Sequence, residues 1–184
     1  MSNYGKARWQ ATLVLISFCT LVVIAGAQSS KQNHGQTQET QVRGYWLDPS
    51  TRLMWAGKDN GKDLNWHKAM KYCRNLRLAG HSDWRLPTLA ELYWIYDKSA
   101  ESPGENTRSR WHEAELMTFH VKGGLFLTGK QWSSNRRSDD RGHPSGYGWY
   151  LDFNEGRADD SDELGFDTNK RALCVRRPGN DLDR

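Results

Sequence analysis

Hydrophobic and polar positions divide the chain into stretches of clearly different character. An apolar run rich in Leu, Val and Ile covers residues 11–25, and a stretch of Gln, Ser, Thr and Asn follows at residues 28–43. Residues 44–177 mix apolar and polar positions at regular spacing, so this segment alone can build a hydrophobic core. Residues 178–184 are polar again. The pattern therefore predicts one folded domain between a flexible polar linker and a short polar tail.

Two segments of this domain have the pattern of helices. From Asn65 to about Leu76, apolar residues recur at helical spacing behind an Asn that can cap the first turn. The string Thr88-Leu89-Ala90-Glu91 is a capping box, which predicts a second helix that continues to about Asp97. The residues expected to face the core are Trp66, Ala69, Met70, Cys73 and Leu76 in the first helix and Leu89, Leu92, Ile95 and Tyr96 in the second.

Short apolar runs separated by turn residues predict antiparallel strands. Tyr45-Trp46-Leu47 and Leu53-Met54-Trp55 flank the residues Asp48-Pro49-Ser50-Thr51, which is typical of a hairpin. Two long polar stretches, residues 98–123 and 135–146, are predicted as loops, and loops of this length are usually functional or disordered. A hairpin, two helices and short antiparallel strands with long loops predict an α+β fold. The further strands are expected at residues 125–127, 131–134, 147–153 and 171–177.

The first 27 residues have the three parts of a secretory signal peptide. Lys6 and Arg8 supply the positive start, the apolar run follows, and Ala25-Gly26-Ala27 is a small-residue cleavage pattern. The apolar run is short for a membrane span, although an uncleaved anchor that holds the protein at a membrane remains the alternative. Cleavage would leave Gln28 as the first residue and predicts a secreted, periplasmic or cell-surface protein.

The charge balance and the aromatic content of the sequence restrict the kinds of partner and fold that it can have. Loss of Lys6 and Arg8 with the signal lowers the formal net charge from +4 to +2, and the remaining acidic and basic residues are interleaved. This balance argues against a nucleic-acid partner, which would require a basic surface. Eight of the nine Trp residues lie in the domain, and so much Trp predicts a loop-rich fold held together by aromatic packing.

The domain contains two cysteines, Cys73 in the first predicted helix and Cys174 in the last predicted strand. In an exported protein such a pair is typical of a disulfide that closes a small domain. A bridge across about a hundred residues would stabilise the fold by about 4–5 kcal/mol on the chain-entropy argument.

Several strings resemble one bacterial family, and together they span nearly all of residues 44–177. They are Gly44-Tyr45-Trp46-Leu47-Asp48, Leu53-Met54-Trp55, Asn65-Trp66 with Ala69 and Tyr72-Cys73, Leu78 to Thr88 with Glu91-Leu92, Trp132-Ser133-Ser134, Trp149 with Asp152-Phe153, and Arg171 to Arg176. With these strings the domain resembles the Lcl C-terminal domain family. The longest of them, Ser82-Asp83-Trp84-Arg85-Leu86-Pro87-Thr88, is the most specific.

The resemblance implies a C-type-lectin-like fold in which a disulfide ties the first helix to the last strand, as Cys73 and Cys174 would. It also implies an exported or surface module. The namesake domain of the family binds sulfated glycosaminoglycans and is carried on a collagen-like stalk. This sequence has no Gly-X-Y repeat, so trimerisation and adhesion are not implied. The family supplies no catalytic residues to carry over.

The polar stretch that follows Trp132 offers the best candidate ligand site. Its arginines can bind sulfate or carboxylate groups through two parallel hydrogen bonds. The candidate ligand-binding residues are Arg136, Arg137, Asp139, Asp140, Arg141 and His143, with Tyr147 and Tyr150 as stacking partners. A solvated polar loop without a ligand is the alternative.

Three segments are candidates for binding calcium, which requires several oxygen ligands with carboxylates among them. Calcium-binding members of the implied C-type-lectin-like fold class have Trp-Asn-Asp at the place of Trp132-Ser133-Ser134, so Ser stands here where the carboxamide and carboxylate ligands would be. The segment Asp59-Asn60-Gly61-Lys62-Asp63 does not have the spacing of a standard calcium loop, and neither does the group Asp159, Asp160, Asp162 and Glu163. No metal and no cofactor are therefore expected.

The remaining motifs do not predict a ligand or catalytic site. In Ser82 to Pro87, we expect Asp83 and Arg85 to pair with each other or with backbone around a buried Trp84. His112-Glu113 begins a zinc-protease motif that fails at Leu116, and no nucleophile elbow is present.

Three functions follow in order. The first is a ligand-binding module that recognises a glycan or sulfated polysaccharide. The second is a structural or protein-interaction domain of the cell envelope. The third is an enzyme related to the formylglycine-generating sulfatase activators, which work through a reactive cysteine pair.

Overall fold

The computed structural model describes residues 35, 37–106, 115–167 and 169–179. The predicted signal peptide lies outside the described residues, as do most of the predicted tail and the pair His112-Glu113. Among the helices that the structure describes, none has the length and apolar composition needed to cross a membrane. The helices and strands are β1 (Tyr45–Leu47), β2 (Met54–Ala56), α1 (Trp66–Asn75), α2 (Leu89–Ile95), β3 (Ser102–Asn106), β4 (Glu115–Phe119), a 3₁₀ turn (Lys122–Gly124), β5 (Lys130–Ser138), β6 (Pro144–Asp152), β7 (Arg157–Glu163), β8 (Lys170–Arg171) and β9 (Val175–Arg176).

The strands form three small sheets, and the mixture of helices with mainly antiparallel strands confirms the α+β prediction. Strands β1, β2 and β9 make one antiparallel sheet, and β3 pairs with β4. The largest sheet has the order β7-β6-β5-β8, in which β5 and β8 run parallel and the other pairs run antiparallel.

The apolar side chains form two clusters, and the chain near its C-terminus contributes to both. Leu173 and Val175 belong to one cluster, while Ala172 and Cys174 belong to the other. Successive side chains of residues 172–175 therefore alternate between the two clusters. Cys73 and Cys174 form a disulfide with their Cα atoms 5.3 Å apart, so α1 is tied covalently to the segment between β8 and β9.

The helix predictions are confirmed, including their caps. Asn65 precedes α1, and its side chain accepts a hydrogen bond from the Lys68 amide. Thr88 and Glu91 form the predicted capping box at the start of α2. Both helices end one or two residues earlier than predicted, because Leu76 and Tyr96 have extended backbone.

Several strand predictions are wrong in detail. The stretch predicted as a loop at 98–123 contains the β3–β4 pair, and the one at 135–146 contains the turn and outer part of the β5–β6 hairpin. Residues 157–163, which lie outside the predicted strands, form the edge strand β7. Residues 125–127 make only single bridges, and the last predicted strand is split between β8 and β9. Polar edge strands carry little hydrophobic alternation, so the pattern does not reveal them.

The segment before β1 also differs from the prediction of a linker. Residues 37–43 are helical, and Thr40 is buried. The Thr40 hydroxyl donates to the Gly123 carbonyl at 2.6 Å, and Thr37 lies so close to Gly124 that a Cβ there would be 2.2 Å from the Thr37 Cα. These contacts fix the helical turn against the domain.

Candidate functional site

The predicted ligand-binding residues lie on the hairpin formed by β5 and β6, which projects from the four-stranded sheet. Arg136 and Arg137 are in β5, the residues from Asp139 to His143 make the turn, and Tyr147 is in β6. All of these are exposed except Tyr147, which is half-buried. The hairpin therefore places the predicted basic residues together at the surface on a defined backbone.

Asp139 organises the turn. Its Oδ1 accepts hydrogen bonds from the amides of Arg141 at 2.9 Å and His143 at 2.8 Å. The backbone closes the same turn, since the Asp139 amide donates to the His143 carbonyl and the Gly142 amide donates to the Asp139 carbonyl. Gly142 has φ +80°, a conformation that glycine adopts without strain. The contacts of Asp139 are thus those of a residue that forms the turn, and not those of a ligand-binding residue.

Arg136 spans the two strands of the hairpin. Its Nε donates to the Ser145 carbonyl at 2.9 Å, and Nη2 contacts the same carbonyl and that of Pro144. These partners are neutral carbonyls, so they fix the orientation of the guanidinium without placing a negative charge beside it. Within the part of the chain that the structure describes, Arg136 has no carboxylate partner.

Arg137 and Tyr147 form a second contact across the hairpin. The Arg137 guanidinium lies over the Tyr147 ring with Cζ 5.8 Å from the ring centroid. The same arginine has Nε 3.6 Å from Oδ2 of Asp160 on β7. A separation of this length at an exposed site contributes little to stability, so an anionic ligand could compete for Arg137.

The remaining charges stand at the turn. The side chains of Asp140 and Arg141 make no ion pair with any residue in the described ranges. His143 Nδ1 lies 3.6 Å from Oδ2 of Asp139. The turn therefore adds one further unpaired arginine and a histidine to the basic surface, together with the one unpaired carboxylate of Asp140.

The structure removes Tyr150 from the candidate stacking residues. Tyr150 is only 5% exposed and meets the Trp132 ring edge-on, with ring centroids 5.7 Å apart. The Lys170 ammonium lies 4.5 Å from the Tyr150 ring centroid and forms an ion pair with Asp162. Burial lowers the pKa of Lys170 against the opposing effect of Asp162, and burial raises the pKa of Tyr150. Tyr150 belongs to the interior because β6 is a central strand with both faces covered.

The acidic segments have structural partners. On β7, Asp160 faces Arg137 and Asp162 faces Lys170, while hydrogen bonds from Ser161 lower the pKa of Asp159. No group of three or more His, Cys, Asp or Glu side chains in the described residues could hold a metal ion.

Asp59 is buried within a hydrogen-bond network. Its carboxylate accepts from the amide and hydroxyl of Thr128, from the Gln131 side chain and from the Gly61 amide, at 2.7–2.9 Å. Burial raises its pKa in spite of these bonds. Because every one of these contacts is a donor, Asp59 fixes the loop before α1 and does not present oxygen atoms to a cation.

The Ser82 to Pro87 string is structural, but its charges pair differently from the prediction. Trp84 is buried as expected. Asp83 binds Arg176 on β9 through two hydrogen bonds of 2.7 and 3.1 Å, and Arg85 binds Glu91 at 2.7 and 2.6 Å. The predicted pairing of Asp83 with Arg85 is wrong, because Asp83 pairs with the guanidinium of Arg176 and Arg85 pairs with the carboxylate of Glu91.

Trp132 and Ser133 are also interior residues. The Trp132 indole donates to the Leu64 carbonyl at 2.7 Å, and the Ser133 hydroxyl donates to the Trp149 carbonyl at 3.0 Å. Both side chains are buried, and they anchor the base of the hairpin. The partners that the sequence did not reveal, Ser145 and Asp160, lie on neighbouring strands whose pairing cannot be predicted from local pattern.

The comparison with known proteins gives one family. The family model of the Lcl C-terminal domain matches residues 44–176. A search of curated proteins finds none that matches this chain.

Proposed function

The chain belongs to the Lcl C-terminal domain family, and from this membership and the hairpin geometry we propose that it is an exported module that binds sulfated polysaccharides. The observation that carries the proposal is the β5–β6 hairpin, on which Arg136, Arg137 and Arg141 are all exposed. Only Arg137 among them has an ion-pair partner in the described residues, and that pair is 3.6 Å long.

The chemistry of the hairpin suits a polyanion. A guanidinium presents parallel donors that match a sulfate or carboxylate group. Arg136 is held in place by backbone carbonyls, so less conformational entropy is lost when a ligand binds. The half-buried Tyr147 ring beside Arg137 offers a surface on which a sugar ring could stack.

The export part of the proposal rests on two features. Residues 1–27 have the composition of a signal peptide. The Cys73–Cys174 disulfide supports an oxidising compartment, because such bridges are rare in the cytosol. We further propose that the domain has the C-type-lectin-like fold implied by its family. The disulfide between α1 and the segment before β9 supports this assignment.

A matched pair of charge-reversal variants tests the proposal. R136E/R137E/R141E should bind immobilised heparin at least about tenfold more weakly, since charge-assisted hydrogen bonds are lost. The control K71E/R74E/R77E changes the net charge equally on exposed positions of and just after α1, and should stay within about twofold of wild type. Equal loss in both variants, or unchanged binding in the first, would contradict the hairpin assignment.

A second variant separates binding from folding. R137Q/R141Q leaves the Arg136 contacts with Pro144 and Ser145 intact, so the hairpin should keep its structure while affinity falls. Circular dichroism in the near ultraviolet checks the fold. Chelator should not change heparin binding, because this proposal assigns no role to calcium.

The alternative proposal, a protein-interaction domain of the envelope, is favoured by one feature. Tyr93 and Trp94 on α2 are 42% and 51% exposed, which is high for large aromatic side chains. If the folded protein bound no sulfated polysaccharide, this face would become the preferred candidate. Loss of a captured envelope partner in Trp94→Ala would then support it.

A further inference from the structure

A second concave site lies on a different part of the domain from the β5–β6 hairpin. It is a pocket of about 530 Å³, within the size range of small-molecule sites. Its walls come from the helical residues 37–43, the end of β2 and the loop after it, the C-terminal half of α1, and the segment before β5. The lining residues that bear on a ligand are Lys58, Tyr72, Leu76, Leu78 and Phe126.

Backbone hydrogen bonds join the walls, so the pocket is preformed. The Gly57 amide donates to the Gly44 carbonyl at 2.8 Å, and the Phe126 amide donates to the Gly57 carbonyl at 2.9 Å. The Gly44 amide in turn donates to the Thr40 carbonyl at 2.8 Å. A Cβ on Gly57 would lie 3.0 Å from the Gly44 backbone, so the walls meet closely at this point.

The lining is mainly apolar, and two of its polar side chains, Lys58 and Tyr72, are ionisable. Ala56, Leu76, Leu78 and Phe126 supply hydrocarbon and aromatic surface. Lys58 is exposed and makes no ion pair with any described residue.

The second ionisable side chain is Tyr72, whose hydroxyl makes no hydrogen bond with any residue that the structure describes. Burial, together with the charge of Asp59, raises the pKa of Tyr72, so at neutral pH its hydroxyl remains a donor.

We propose that this pocket binds a free amphipathic carboxylate with one aliphatic chain, such as a medium-chain fatty acid. The chain would lie against Leu76, Leu78 and Phe126, and the carboxylate would pair with the Lys58 ammonium. The Tyr72 hydroxyl is the second donor available to the carboxylate. This site is independent of the hairpin proposed to bind polysaccharide, and it extends the function of the domain to an amphipathic ligand.

Calorimetric titration with octanoate, decanoate and dodecanoate below micelle formation measures the binding directly. We expect one molecule per chain, with each added methylene tightening binding about fourfold until the pocket is full. Decanol and decyltrimethylammonium carry the same chain with a neutral or positive headgroup. Both should bind at least about tenfold more weakly than decanoate.

Variants locate the site. Lys58→Glu should weaken decanoate binding at least about tenfold, while Lys62→Glu, an equal charge change at an exposed position of the same loop, should leave it unchanged. Leu78→Trp should fill the pocket and abolish binding, and its thermal unfolding midpoint reports whether the fold survives. Leu116→Trp, at a position 81% exposed and outside the pocket, is the matched control.

Three results of the titrations would overturn the proposal. They are absence of binding by the folded wild-type protein, equal loss in Lys58→Glu and Lys62→Glu, and decanol binding as tightly as decanoate. Binding to anionic phospholipid vesicles without binding to monomeric decanoate would also overturn it, because the ligand would then be a membrane surface. Polysaccharide binding by the hairpin should be unchanged in Lys58→Glu.

Discussion

Glu91 has two structural roles at the start of α2. Its carboxylate accepts two hydrogen bonds from the Arg85 guanidinium and one from the Thr88 amide, all between 2.6 and 2.8 Å. Burial opposes ionisation of this side chain, but the bonds from Arg85 and Thr88 outweigh it, and the pKa of Glu91 lies below its ordinary value. The ionised carboxylate therefore holds the specific Ser82 to Pro87 string against the helix.

The lowered pKa predicts a pH-dependent effect of Glu91→Gln. Because the pKa is lower in the folded protein, the carboxylate stabilises the fold above the ordinary pKa of 4.5, and this contribution is lost as pH falls through the folded value. The variant should lose about 1–3 kcal/mol of unfolding free energy at neutral pH. Urea unfolding at several pH values measures the difference. A wild-type advantage that stays constant into acid would show that charge is not its source.

The hydrogen-bond partner of a side chain can be predicted from the sequence when the two residues are close along the chain. The capping box of Thr88 and Glu91 joins residues three positions apart, so the pattern identifies it. The partner of Asp83 is Arg176, 93 positions away, and no local pattern could have selected it over Arg85. The prediction of Tyr150 as a stacking residue is wrong for a related reason. Neighbours that are distant in sequence cover both faces of its strand, so the side chain is buried.

The β5–β6 hairpin shows how a polar sequence can form ordered structure. Its outer half has exposed side chains on both strands, so it shows no hydrophobic alternation and resembles a loop. Order comes instead from Arg136 bonded to the opposite strand and from Asp139 bonded to the turn amides. The usable signal was the turn itself, with Asp139 followed by Gly142 three positions later.

Two substitutions at the turn separate order from charge. Asp140→Ala removes a carboxylate that has no partner in the described residues, so heparin should bind about twofold to threefold more tightly. Asp139→Ala changes the charge equally but removes the acceptor of the Arg141 and His143 amides. Hydrogen exchange at these amides should be about tenfold faster in that variant alone.

The binding comparison between the two turn variants completes this test. Asp139→Ala should gain less affinity than Asp140→Ala, because a disordered turn loses more entropy on binding. Equal gains in affinity, in spite of faster exchange in Asp139→Ala, would show that turn order has no part in recognition.

In the whole molecule, long-range links determine the arrangement of the elements. The disulfide joins residues 101 positions apart, and it connects α1 to the chain between the four-stranded and three-stranded sheets. The family resemblance implied this bridge, and the α+β class followed from the order of elements. The pocket could not be predicted, because its walls are drawn from residues between Thr40 and Phe126 that meet only in the folded chain.

The central claim is that sulfated polysaccharide binds at the β5–β6 hairpin. Amide NMR spectra of the oxidised protein from Gln28 onward, titrated with a heparin-derived hexasaccharide, test this claim most directly. The largest shift changes are expected between Arg136 and Tyr147 and should include the Arg137 side chain. Largest changes on α1 or around the apolar pocket, or an unchanged spectrum at high oligosaccharide concentration, would contradict it.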